Sequence, residues 1–317
     1  MENLFDTIDD PQTYDHEWTP KGKYKWGLTD FESKIEKMSS TLYHIGAETT
    51  GLPPVIIGVC EIENAGVVER LINTEPMSNF DMQIIHYDSP DRRGIDVALI
   101  YDRRYFTPTN SQAHELILYD ERNPKKRYFT RDQLVVSGLL GDQKIHLIIN
   151  HWPSRRGGKA KSYVRRRSAA RLTRSIADSL FAEDPNAGIV IMGDLNDDPL
   201  DKSVKLDLGS VSRPKRMSSL EFYNPMVQLY RMGMGTLAWR DSWNLFDQIL
   251  VSRRLVQHNA QYLRLYKAGI FNPDFLITPT GPYKGYPFRA MKNNRYNKGY
   301  SDHFPVYIQL IRPVKKD

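Results

Sequence analysis

Short β-branched apolar runs recur along this chain between a few amphipathic stretches, and acids, amides and histidines stand at the ends of those runs. This alternation limits the fold more than any other feature. Val55–Cys60, Ile95–Tyr101, Leu134–Leu140, Ile145–Asn150, Ile189–Met192, Gln248–Val251 and Pro305–Ile311 read as strands. Thr29–Ile45 carries Phe31, Ile35, Met38, Leu42 and Ile45 at spacings of three and four, which predicts a helix. Thr29 with Glu32 forms a capping box there, and Gly46 marks the stop. Asn64–Ile72 reads as a short helix and Ser162–Phe181 as a long one, with Leu172, Ile176 and Leu180 on its inner face. Gly141-Asp142 between two strand runs predicts a hairpin. Hairpin-linked strands exclude a purely parallel sheet. Two sheets packed together with helices outside bury such a set of elements. No repeat, low-complexity tract or linker interrupts the pattern, so one domain over residues 1–317 is expected. Ile270–Tyr300, rich in Pro, Gly, Asn and Tyr, reads as a long ordered loop.

Composition removes several function classes. At 40% apolar and 26% charged residues the chain is of the folding kind. No apolar run reaches the roughly 18 residues of a membrane span, and no basic-then-apolar leader opens the sequence, so a soluble chain without stable membrane insertion is expected. The single cysteine, Cys60, excludes an intrachain disulfide and a thiolate-rich zinc site, and its place in an apolar run reads as core. Lys plus Arg is 44 against 38 for Asp plus Glu, a net charge of +6 that mildly favours anionic partners. GxxxxGK[ST], GxGxxG, HExxH and GxSxG strings are missing, so nucleotide-cradling loops, zincin helices and nucleophile elbows are not indicated.

The polar residues at the run ends carry the chemistry. Glu61 follows Val-Ile-Ile-Gly-Val-Cys. His151 follows His-Leu-Ile-Ile-Asn. Asp194 and Asn196 follow Ile-Val-Ile-Met-Gly. Asp247 opens Gln-Ile-Leu-Val, and Ser301, Asp302 and His303 open Phe-Pro-Val-Tyr-Ile. Taken singly, Glu61 is an ordinary helix cap, Asp194 and Asn196 are ordinary turn residues, and Asp302-His303 is an ordinary surface pair. Taken together they need another account. Antiparallel neighbours bring opposite strand ends to one edge, and carboxylates gathered there are unfavourable unless paired or bound to a cation. Carboxylates, histidines and an amide at one rim point to a hard-cation site with an acid–base pair.

Seven strings then resemble a known family: Glu-Asn-Leu-Phe-Asp (2–6), Gly-Val-Cys-Glu-Ile-Glu-Asn (58–64), Arg-Gly-Ile-Asp-Val-Ala-Leu-Ile-Tyr (93–101), Asn-His-Trp-Pro-Ser-Arg-Arg-Gly-Gly (150–158), Met-Gly-Asp-Leu-Asn-Asp-Asp-Pro (192–199), Trp-Asn-Leu-Phe-Asp-Gln-Ile-Leu-Val-Ser (243–252) and Ser-Asp-His-Phe-Pro-Val (301–306). They are similar to the endonuclease/exonuclease/phosphatase superfamily, which includes pancreatic-type deoxyribonucleases and apurinic endonucleases. The resemblance implies a four-layered α/β sandwich, two mixed β-sheets face to face with helices outside, and a site where strand ends of both sheets meet. It implies that Glu61 is the principal ligand of a divalent cation, Mg²⁺ with Mn²⁺ or Ca²⁺ as alternatives. Glu2 matches an acidic position near that metal, and Asp302 sits beside the metal or orients the histidine. Asp247 pairs with His303, Asp194 and Asn196 contact the scissile phosphate and attacking water, and His151 matches a phosphate-binding position. One departure stands at the start. Met1 occupies a usual valine position, and the family's asparagine two residues before the Glu2 position falls outside the sequence. A first strand trimmed at the N-terminus is therefore expected, which leaves export and compartment open.

The function expected is metal-dependent phosphodiester hydrolysis, most of all of DNA or RNA, by a monomer. Between Arg155 and Arg174 nine basic residues follow one another with no acid among them, and Arg155 and Arg156 begin just after His151. These two are the expected substrate-binding residues, and the run suits a phosphate-rich polymer as well as a plain basic helix face. Tyrosines interleaved with Lys and Arg over 283–300 suit base stacking or an ordinary packed loop equally. One alternative is a phosphatase or phosphodiesterase of the same superfamily acting on inositol phosphates or phospholipids, although the Trp-x-Gly-Asp-x-Asn-Tyr-Arg string is missing. Another is a non-catalytic binding scaffold, in which Glu61 or the Asp247–His303 pair would normally be lost, whereas here both remain.

Overall fold

The β-branched runs do become strands, and their partners follow from which faces are apolar. In the computed structural model, which describes residues 1–120, 123–259 and 261–312, the chain divides into two compact units. The first comprises Met1–Phe106, Ala113–Leu134 and Phe271–Pro305, and the second Thr107–Gln112, Val135–Ile270 and the chain from Val306. No helix among the described residues is long and apolar enough to cross a membrane.

The first unit holds an antiparallel sheet in the order Ile56–Ile62, Asp96–Asp102, Met82–His86. Its central strand is buried along nearly its whole length, which is why Val97, Ala98, Leu99 and Ile100 form an unbroken apolar run. Helix Leu28–His44 presents Phe31, Ile35, Met38 and Leu42 to the interior and packs near helix Ala65–Ile72. The expected capping box does not form. The helix begins at Leu28 with Gly27 as N-cap, so Thr29 lies inside the first turn and caps nothing, while the Glu32 carboxylate accepts two hydrogen bonds from Arg70, from Nε at 3.1 Å and Nη2 at 2.6 Å. Gly46 does end the helix, in a left-handed conformation at φ 79°. Asn64 caps the next helix by accepting the Val67 N–H at 3.0 Å.

The N-terminal segment lies against the same sheet. Leu4 bridges Ile62 in parallel; its N–H donates to the Glu61 carbonyl at 2.8 Å, and its own carbonyl accepts the Glu63 N–H at 3.1 Å. An aromatic group fixes this segment. Phe5 stacks on Trp18 at 4.9 Å, and Trp26 donates its indole N–H to the Phe5 carbonyl at 3.0 Å. Tyr296 closes edge-on over Trp26 at 5.5 Å. Within the expected long loop, a hairpin forms from Met291–Lys292 and Arg295–Tyr296.

The second unit is built on a mixed seven-stranded sheet in the order Ser210–Val211, Phe222–Tyr223, Asp247–Ser252, Ile189–Asp194, Gln143–His151, Gln133–Leu140, Phe106–His114. Gly141, at φ 62°, turns the expected hairpin between Gln133–Leu140 and Gln143–His151. Gln143–His151 and Ile189–Asp194 are parallel, and a parallel pair needs a long crossover. Helix Lys159–Glu183 supplies it. Its buried face is Ala169, Ala170, Thr173, Ile176, Ala177 and Phe181 rather than the expected Leu172–Ile176–Leu180 stripe. Small side chains let the helix approach the sheet closely, and Thr173 donates its hydroxyl to the buried Asn150 Oδ1 at 3.0 Å.

Candidate active site

Strand register fixes one group of side chains in the second unit. Asp194 ends one strand, with Asp247 opposite it on the antiparallel neighbour and His151 beside it on the parallel one. Three adjacent strands therefore present His151, Asp194 and Asp247 in one row. His151 Nε2 lies 3.6 Å from Asp194 Oδ2, and both side chains are largely buried. Asn196 follows two residues on, at φ 51°. Left-handed backbone is tolerated best by asparagine among non-glycine residues. Here it is held on both sides: the Asn196 N–H donates to Asp194 Oδ1 at 2.8 Å, and its Nδ2 donates to the Trp152 carbonyl at 2.9 Å.

Gly193 makes that row possible. It pairs with Asn150 across the parallel strands, at φ 136°, and a Cβ there would lie 1.9 Å from the Asn150 carbonyl oxygen. Gly193→Ala is expected to destabilise the chain by roughly 2–4 kcal/mol, the overlap adding to the backbone strain. Denaturant unfolding checks this, and an unchanged midpoint would refute it.

A second group belongs to the first unit. Glu61 sits at φ 61° where the register of its strand shifts between Cys60 and Ile62. The strand therefore runs through Glu61 rather than stopping before it. Its half-buried carboxylate accepts the Asn3 N–H at 3.1 Å. Glu2 is buried at 3% exposure and accepts the N–H groups of Ala290 at 2.5 Å and Met291 at 3.3 Å. Burial, with the Asp302 charge in second place, pushes the Glu2 carboxyl up to about 7. Arg289 joins the acids, reaching Asp302 Oδ2 at 2.9 Å and Glu2 Oε1 at 3.4 Å. Burial raises the Asp302 carboxyl, but the His303 and Arg289 charges outweigh it and hold it below the usual carboxylate range. The His303 N–H donates to Ser301 Oγ at 3.3 Å.

The sequence reading had no place for Lys34. This lysine is fully buried in the apolar stripe of helix Leu28–His44 and donates to the carbonyls of Glu2 at 2.6 Å and Asn3 at 3.0 Å. It thereby fixes two consecutive left-handed residues, Glu2 at φ 51° and Asn3 at φ 56°. Burial lowers its ammonium to about 8 against the pull of Glu2, Glu61 and Asp302. The signal was available: a lysine three residues after Phe31 and directly before Ile35 interrupts an otherwise apolar face.

These donors fit a hard divalent cation. Glu61 and Asp302 offer carboxylate oxygens with no thiolate among them, the donor type that Mg²⁺ and its neighbours take. Glu2 is already engaged by backbone N–H groups and Arg289. Burial raises the carboxyl of Glu63, two residues beyond Glu61, to about 9, and that carboxyl accepts the Asp6 N–H at 2.6 Å. Among the described residues, His86, Asp88 and Asp96 form a further group whose ligand atoms lie within 4.8 Å of one another, with His86 Nε2 3.0 Å from Asp96 Oδ2.

The basic run behaves differently from its sequence. Arg155 lies within 3.2 Å of Asp197, 2.9 Å of Asp198 and 2.7 Å of Asp201. Arg166, fully buried, meets Asp197 at 2.8 Å, while Arg167 and Arg171 both meet Asp207 at 3.1 Å. The acids missing from the run in sequence arrive from residues 197–207. Arg156 is exposed. In the 283–300 loop, Tyr296 and Tyr300 pack against Trp26 and Phe288, as in an ordinary ordered loop, whereas Tyr283 stays exposed beside Tyr286.

The sequence profile of the Endonuclease/Exonuclease/phosphatase family matches residues 1–312. Among solved structures, an endonuclease/exonuclease/phosphatase from Bacteroides vulgatus is similar at TM-score 0.55 and 13% identity, covering 95% of this chain and 96% of that one. TDP2 of D. rerio, complexed with a single-strand DNA product, gives TM-score 0.54 and 13% identity over 88% of this chain and 93% of that one. The mannosyl-6-phosphatase of Bacteroides thetaiotaomicron gives 0.53 and 14% over 88% and 91%. No match is found among the curated proteins. At such identities the likeness shows the fold, the α/β sandwich class that the motifs implied. With a profile match over nearly its whole length, the chain belongs to the Endonuclease/Exonuclease/phosphatase family, whose members are divalent-metal-dependent phosphoesterases.

Proposed function

We propose that this chain hydrolyses phosphodiesters of nucleic acid with Mg²⁺. The observation that carries this reading is the in-register row of His151, Asp194 and Asp247, with Asn196 locked at its end, in a chain of this family.

On this reading His303 takes the proton of the attacking water at a ring nitrogen. Asn196 Nδ2 and His151 donate hydrogen bonds to the non-bridging oxygens, where charge develops. Asp194 orients the water. Glu61 and Asp302 would be the oxygen donors for the cation, which when bound would offset negative charge on a phosphoryl group. Support for a nucleic-acid substrate comes from the DNA product held by D. rerio TDP2, a protein of similar fold.

A second reading, hydrolysis of small phosphomonoesters, is favoured by one specific observation. The arginines that looked free to bind a polymer are largely paired with Asp197, Asp198, Asp201 and Asp207. The mannosyl-6-phosphatase of similar fold is in keeping with it.

Incubation with plasmid DNA, RNA, a phosphoinositide and a hexose 6-phosphate, each with Mg²⁺ and with EDTA, separates the readings. EDTA-sensitive cleavage of DNA or RNA is expected. Phosphate release from the small esters alone would favour the second reading, and no turnover of any substrate would overturn both.

A further inference from the structure

Arg155, an expected substrate-binding residue by sequence, makes four side-chain hydrogen bonds within the protein, and none of the steps proposed above uses it. Its Nε donates to the Asn196 carbonyl at 2.9 Å, Nη1 to Asn244 Oδ1 at 3.2 Å, and Nη2 to Asp198 at 2.9 Å and Asp201 at 2.7 Å. The guanidinium plane lies over the Phe246 ring at 4.2 Å. Asp198 in turn accepts the Leu245 N–H at 2.9 Å and so continues the linkage. One planar fork thus ties the turn after Asp194 to the segment 244–246 that leads into Asp247. A rigid five-donor group is suited to this, and a lysine ammonium cannot span the same acceptors.

We infer that Arg155 is a positioning residue: it holds the left-handed Asn196 backbone so that the Asn196 side-chain amide stays at the reacting end of the strands. The inference rests on the functional reading above for its kinetic consequence, but not for its structural one. Asn196 has its N–H on Asp194, its side chain on the Trp152 carbonyl and its carbonyl on Arg155. Removing the last releases the peptide that follows Asn196. A displacement of about 1 Å at a catalytic amide lowers turnover by up to ~10²-fold while leaving substrate binding nearly intact.

The test compares wild type with Arg155→Met, which keeps an apolar stem over Phe246, and Arg155→Lys, which keeps a cation among the three carboxylates if the first variant folds poorly. Lys159→Ala is the control, because Lys159 pairs with Asp201 at 2.6 Å without reaching Asn196. With Mg²⁺ and bis(p-nitrophenyl) phosphate, kcat is expected to fall about 10–100-fold in both Arg155 variants with KM within about two-fold. Millimolar guanidinium should restore part of kcat in Arg155→Met, and Lys159→Ala should match wild type. The Asn196 side-chain amide signal in ¹H–¹⁵N spectra is expected to shift or broaden in both variants. An Asn196 signal that keeps its wild-type position and width overturns the inference, whether or not turnover is measurable. So does a loss expressed in KM alone. If wild type itself is silent on every substrate while the Asn196 signal still responds, the functional reading fails and the positioning role stands.

Discussion

Glu61→Gln is expected to keep the fold and lose roughly 10²–10⁴ of kcat/KM in Mg²⁺-supported hydrolysis, about 3–5 kcal/mol of transition-state stabilisation. Glutamine reproduces the shape of the side chain, and its amide oxygen can still accept the Asn3 N–H that Glu61 accepts at 3.1 Å. What it removes is the anion. The neighbouring carboxyls are engaged elsewhere: Glu63 accepts the Asp6 N–H, and Glu2 accepts those of Ala290 and Met291. A Mg²⁺ titration of activity in both proteins, with a thermal melt to show that the fold persists, decides the matter. Wild-type kcat/KM in the variant at any Mg²⁺ concentration would remove Glu61 from the site.

His303→Ala should lower kcat by about 10²–10⁴, the range for loss of a general base, with little change in substrate KM. His303 is half-buried in the bend before the strand Val306–Ile311, so truncation leaves no large cavity. Added imidazole should recover part of the lost rate, because a diffusible base can enter the space the ring vacates. Single-turnover kinetics with and without imidazole measure this. Full activity without rescue would exclude His303 from proton transfer.

Much of the scaffold was legible because burial writes itself into spacing. The central strand Asp96–Asp102 reads as a continuous apolar run since both of its faces are covered, and His151, Asp194 and Asp247 stand where their strands end or begin. Exposed strands left no such mark: Phe106–His114 alternates with Thr, Asn, Ser and Gln and was not seen. The charge run misled for a spatial reason. Counting along the sequence separates Arg155 and Arg166 from Asp197 by about forty and thirty positions, whereas the crossover of the parallel strands brings them within 3.2 Å and 2.8 Å. The capping box failed because the helix starts one residue before Thr29, and Glu32 pairs instead with Arg70, 38 positions away. Lys34 shows the converse, a local irregularity in an apolar stripe whose meaning needed its partners, the carbonyls of Glu2 and Asn3.

The hydrogen bond from the Ala290 N–H to Glu2 spans 288 positions. Chain closure over such a distance is slow compared with local pairing. The Glu2 oxygens are therefore fixed only once the loop carrying Ala290 and Met291 has closed on the segment around Leu4. A chain lacking residues 289–302 would leave Glu2 without Arg289, Ala290 and Met291, the three groups that hold its carboxylate.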